Sequence, residues 1–195
     1  TDLGNTQYLD AYQRGNFWSD VITNSSYHVT LGTPTVLATQ TLNVARRNGT
    51  TGSPFGFKVG IVSINYFDSQ ANTILRNNPQ ITANAIPIFV LYNTYLSNNS
   101  GLSGCCIGGY HSATGSQTYM QYSYIYHSGT IAQDISPLSP ELGVWYDDPL
   151  VNNTICGGSY SDSLKNGDAE EGLRHYVTFE LTFMALTWHT QDLAV

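Results

Sequence analysis

Lys58–Tyr66 reads KVGIVSINY, Asp68–Asn77 reads DSQANTILRN and Ile86–Tyr92 reads IPIFVLY. The first and third are apolar, β-branched runs short enough for buried strands; the middle segment opens on a residue suited to an N-cap and continues in helix formers. Strand, helix, strand at this spacing predicts a βαβ unit with two neighbouring parallel strands. Residues 46–57 (RRNGTTGSPFGF) read as a loop, and 27–45 as two strands or one ribbon bent at Gly32–Thr33–Pro34. Residues 6–18 place Tyr8, Leu9, Tyr12 and Trp18 near helical spacing, which predicts a short amphipathic helix. On the other side, residues 97–116 form a glycine-rich loop and Gln117–Tyr126 alternates as a strand. Ser139–Pro140–Glu141 starts a helix that runs to about Tyr146, with Ser139 as cap and Pro140 at the first helical position. Residues 151–172 read as loop, and His175–Trp188 closes the chain with one alternating strand. The expectation is a single α+β domain over residues 1–195 with a mixed β-sheet.

The 195 residues (21.4 kDa) are 41% hydrophobic, so the chain can own a core without staples. Only 11% are Asp, Glu, Lys or Arg, well below the roughly 25% of ordinary soluble domains. Seven bases against fourteen acids leave a formal charge of −7. Arg46–Arg47 is the only basic pair, which excludes a nucleic-acid binder that needs a basic stripe. No apolar run approaches the ~20 residues of a membrane-spanning helix. Polarity rests on 16 Asn, on Ser, Thr and Gln, and on 14 Tyr. That composition is typical of secreted proteins that meet sugars, solids or copies of themselves.

The three cysteines are the vicinal pair Cys105–Cys106 and Cys156. A ring closed between neighbours strains the peptide, so Cys156 is expected to pair with Cys105 or Cys106, leaving one thiol buried or bonded elsewhere. Sequons at Asn24, Asn48, Asn98 and Asn152 are candidate glycosylation sites, although this much Asn, Ser and Thr produces such triplets by chance. With no initiator Met and no signal pattern at Thr1, the chain is expected to be a processed piece of a longer secreted precursor.

Motif searches for H-E-x-x-H, G-x-S-x-G, a P-loop and G-x-G-x-x-G return nothing. Asp162–Leu173 fails as a calcium loop because Leu164 and Leu173 stand where oxygen ligands are needed. A looser surface calcium site from Asp162, Asp168, Glu170 and Glu171 stays open. His28, His111, His127, His175 and His189 are scattered, and each reads first as an ordinary hydrogen-bonded or surface histidine. His111, in the glycine-rich loop, is the one placed to approach a site. Asp134–Pro149 (DISPLSPELGVWYDDP) carries Glu141 in a first helical turn and then Asp147–Asp148–Pro149. Taken alone, this is capping and turn chemistry.

That stretch resembles the active helix of a family of secreted, zincin-like, mostly bacterial proteins, whose segment runs S-A-L-S-H-E-I-G-E-W-x-D-D-P. The likeness extends in order through Gly4–Trp18, Cys105–Ser112 (CCIGGYHS), Ala132–Pro149 and Thr190–Val195 (TQDLAV). In such proteins an H-E-x-x-E helix implies a metallopeptidase: the His and second Glu ligate zinc and the first Glu serves as general base. Here Glu141 matches the base, but Pro140 stands at the histidine and Val144 at the second glutamate. A further family segment, L-E-V-G-D, appears as Leu164–Asp168 with Lys165 in place of the acid. The resemblance therefore implies a degenerate metallopeptidase with no cofactor expected.

Three functions follow as expectations. The first is a non-catalytic, extracellular binding or self-assembly domain whose partner is itself, another secreted protein or a precursor segment. The second is an active metal-dependent peptidase using Glu141, with zinc held by weak candidates His111, Asp147 and Asp148. The third is glycan binding through Tyr and Trp platforms.

Overall fold

The computed structural model describes residues 33–127, 135–152, 178–183 and 186–191. Of the expected elements, the helix over 6–18, the first part of the 27–45 ribbon and the calcium candidates lie outside these residues, as do Asn24, Cys156, His28 and His175. Residues 33–45 carry no strand. The elements that matter belong to a compact unit of Leu42–Glu180 with Trp188–Val195; residues up to Thr41 and Leu181–Thr187 fall in a second unit.

The strands are β1 (Gly49–Gly52), β2 (Val59–Ser63), β3 (Ile88–Tyr92), β4 (Thr94–Ser97), β5 (Cys105–Ile107), β6 (Gly109–Thr114) and β7 (Gln117–Tyr124). The helices are α1 (Ile64–Asn77) and α2 (Ser139–Asp147). Two mixed sheets result, one in the order β1-β2-β4-β5 and the other β3-β7-β6. The architecture is α+β. Thr178–Phe183 (β8) and Leu186–Gln191 (β9) pair as a separate two-stranded sheet, where the sequence predicted one closing strand. Among the described residues no helix is long and apolar enough to cross a membrane.

The βαβ unit is present, with a different return strand. β2 runs through α1 into β4, and Gly60↔Thr94 to Ser63↔Ser97 pair in parallel. The apolar run expected to return beside β2 instead becomes β3, which pairs in parallel with β7 in the other sheet. Asn93 makes the division. It sits at φ 49°, a left-handed conformation that Asn tolerates better than most residues, and it ends one strand just before the next begins. Its carbonyl accepts from Gly60 N–H (2.9 Å) in the first sheet, and its N–H donates to Tyr124 O (2.8 Å) in the second. Its side-chain Oδ1 takes Tyr126 N–H at 2.7 Å.

α1 begins four residues before the expected start, because Ser63 and Ile64 continue directly out of β2. Phe67, Ala71 and Leu75, one helical turn apart, form its buried stripe. They pack with Leu96 and Tyr119, joined by Phe89, Leu91 and Tyr110 from the second sheet and by Val62 from the first. A smaller core of Val59, Ile61, Tyr95 and Ile125 takes Phe57, Cys105 and Cys106 against it.

Two segments read as loops are strands. Gly49–Gly52 pairs antiparallel with β2, and Gly49 is needed there because a Cβ would come within 2.6 Å of Ile61 O. Within 97–116, β5 pairs with β4, and β6 forms a hairpin with β7 around Gly115, at φ 61°. Glycine content suggested loop; ladder pairing overrode that local preference.

Asn93→Ala should cost about 1–3 kcal/mol, the sum of left-handed strain and one lost side-chain hydrogen bond to the exposed Tyr126 N–H. Asn93→Gly should recover the conformational part. Urea denaturation checks both, and equal losses in the two variants would contradict the role given to the left-handed backbone.

Candidate functional site

The segments Cys105–Ser112 and Ile135–Pro149, far apart in sequence, meet in the fold. The chain winds into α2 through a turn, with Leu138 N–H and Ser139 N–H both donating to Ile135 O (2.9 and 3.0 Å). The N-cap is therefore Leu138, one residue before the expected Ser139. Ser139 Oγ donates to Ser136 O (3.0 Å), so its hydroxyl closes the turn. Pro140 sits in the first turn, where its missing N–H costs nothing.

Glycine on β6 permits the contact. A Cβ on Gly109 would overlap Pro137 O and come within 3.1 Å of Glu141 Cγ, and one on Gly108 would touch the Pro137 ring. Two residues after Gly109, the buried His111 side chain spans α2. Its Nδ1 lies 3.5 Å from Glu141 Oε2, and its Nε2 lies 2.9 Å from Asp148 O at the helix end. A carbonyl only accepts, so Nε2 carries a hydrogen; Nδ1 and the Glu141 carboxyl are then complementary when one proton sits between them. Asp148 is buried beside this contact, and its Oδ1 accepts Asn152 N–H at 2.9 Å.

His111, Glu141 and Asp148, named from sequence, are thus brought together. Asp147 is the last residue of α2, and its side chain lies outside what is described. Cys105 and Cys106 on β5 are joined as a vicinal disulfide across a cis peptide. The expected partner Cys156 lies outside the described residues. Of the sequons, Asn98 and Asn152 are exposed and Asn48 is half-buried.

The donors described around Glu141 do not by themselves make up a zinc-binding set. Pro140 and Val144 are buried and carry no ligand atom, and His111 Nε2 is committed to a backbone carbonyl. Ser136 Oγ and Trp145 Nε1, a neutral hydroxyl and an indole N–H donor, are buried near α2 with no hydrogen-bond partner among the described residues, and the Asp148 carboxylate is buried there as well. Among the described residues no group of three His, Cys, Asp or Glu side chains is placed to hold a metal ion.

A second polar centre was missed by sequence reasoning. Asp68, expected as an N-cap, lies inside α1 because the helix starts at Ile64, and its Oδ1 accepts from both Tyr110 and Tyr119 hydroxyls, the latter at 2.7 Å. Tyr110 and Tyr119 are neighbours across the β6–β7 pair, and their rings meet edge to face with centroids 6.2 Å apart. Burial pushes the Tyr119 hydroxyl up to about 12; a Ser112 hydrogen bond offsets part of this and the Asp68 carboxylate adds to it. Tyr110 is raised further, by burial first and then by Asp68. The alternating apolar pattern was visible in sequence, but no local signal tied these hydroxyls to a carboxylate some forty residues earlier.

No protein-family model, no curated protein and no solved structure matches the chain.

Because the folded state holds the Tyr119 proton more tightly than the unfolded chain, its contribution to stability is complete below pH 10 and is lost as pH rises toward 12. Urea denaturation across that window should show a steep loss in the natural protein and a shallower one in Tyr119→Phe. Tyr119→Phe should also be about 1–3 kcal/mol less stable at neutral pH. Parallel pH profiles would contradict the assignment.

Proposed function

We propose that the chain is a non-catalytic, secreted binding and self-assembly domain on a zincin-like scaffold, acting as a subunit of an extracellular assembly. One observation carries this reading. From Asn77 to Gln133 the sequence has no Asp, Glu, Lys or Arg, 57 residues in all, and these build β3 to β7. From this uncharged stretch Ile88, Val90, Tyr92, Leu102 and Tyr126 reach solvent. Isolated exposed apolar residues are ordinary; several from one charge-free stretch favour contact with another surface.

The degenerate helix supports the non-catalytic half of the proposal. The Glu141 carboxylate faces His111, and that contact ties α2 to β6. The same pairing is the observation that favours the alternative, a hydrolase with Glu141 as its base, since an imidazole beside a carboxylate is a familiar acid–base arrangement. Peptide cleavage abolished by Glu141→Gln would support that alternative, and the absence of cleavage in the natural protein would remove it.

Self-assembly predicts that the weight-average mass, followed by light scattering and sedimentation, rises with protein concentration. A mass that stays at 21.4 kDa per particle at high concentration would contradict it.

A further inference from the structure

β3 is an edge strand of the sheet β3-β7-β6. Met120 N–H donates to Pro87 O (3.0 Å) and Asn93 N–H to Tyr124 O (2.8 Å), so the odd-numbered backbone groups between them face β7. The groups of Ile88, Val90 and Tyr92 point the other way. Among the described residues, the N–H groups of all three and the carbonyls of Ile88 and Val90 have no partner; Tyr92 O is met by Thr94 Oγ1 at 3.1 Å. Their side chains are also the exposed ones, at 38%, 55% and 62%.

Native sheets blunt such an edge with lysine, proline, a bulge or a covering element. Residues 88–92 (IFVLY) hold no charge and no proline, and their pairing with β7 is unbroken from Ile88↔Met120 to Tyr92↔Tyr124. We infer that β3 is a self-association seam, pairing antiparallel with β3 of a second copy about a two-fold axis through Val90. Val90 meets its own equivalent and exchanges both backbone hydrogen bonds with it, while Ile88 meets Tyr92. The sheet becomes one continuous sheet of twice the width.

Charge selects the occupant. Every charged residue of a chain with formal charge −7 lies outside residues 77–133. Two copies repel each other elsewhere, and this stretch offers the approach with least repulsion. An oppositely charged partner finds no charge on the strand to read. A two-fold arrangement also uses one patch on both subunits, so a self-complementary strand suffices.

This inference rests on the self-assembly reading and narrows it to one strand. The test is sedimentation velocity over a concentration series on the natural protein, Val90→Lys and Val36→Lys. Val36 is 94% exposed and outside the strand, so it controls for the added charge. Circular dichroism confirms that the variants are folded. Val90→Lys sets like charges opposite each other across the axis and should raise the apparent dissociation constant at least about ten-fold, with Val36→Lys unchanged. Equal association in the two variants would overturn the seam while leaving self-assembly standing. A natural protein that is monomeric throughout would overturn both.

Discussion

One residue with a left-handed backbone divides the chain between the sheet β1-β2-β4-β5 and the sheet β3-β7-β6. Asn93 gives its N–H to Tyr124 and its carbonyl to Gly60, so neighbouring peptide groups serve different ladders. Its side chain then holds Tyr126 N–H, which fixes the chain leaving β7. The placement of β3 follows from this pivot: without it, Ile88–Ser97 would be one strand. The pivot leaves β4 to complete the parallel pair with β2, and α1 packs residues of both sheets into one core.

On the opposite face of the β6–β7 pair, α2 lies close because Gly108 and Gly109 leave no Cβ in the way of Pro137. His111 then links Glu141, in the first turn, to Asp148 O, past the last. Cys105–Ser112 and Ile135–Pro149 thereby form one packing unit. A carboxylate in a first helical turn and an imidazole across from it link helix and strand.

Much of the architecture was legible. The helix formers of α1, the proline-marked start of α2 and the alternation of β7 were all in the local pattern. What was not legible is pairing. IPIFVLY has the composition of a buried strand, yet exposes alternate residues because, among the described residues, it is paired along one edge and packed on one face. Asp68 has the chemistry of a cap, but the continuous exit from β2 carried the helix start past it, and its carboxylate went to Tyr110 and Tyr119. Gly49 and Gly109 suggested loops, whereas Gly49 admits the close approach of its ladder partner β2 and Gly109 that of the Pro137 carbonyl before α2. The charge-free stretch was in plain view; a composition averaged over the chain conceals it.

In this account the uncharged β3 edge, unpartnered among the described residues, is where this molecule meets itself. Amide hydrogen exchange resolved to Ile88, Val90 and Tyr92, at low and high protein concentration, tests it most directly. Self-association through β3 predicts that these outward N–H groups exchange fast in dilute solution and become protected as concentration rises, while Phe89 and Leu91, already facing β7, change little. Exchange at Val90 that is the same at both concentrations, in a sample whose mass has grown, would contradict it.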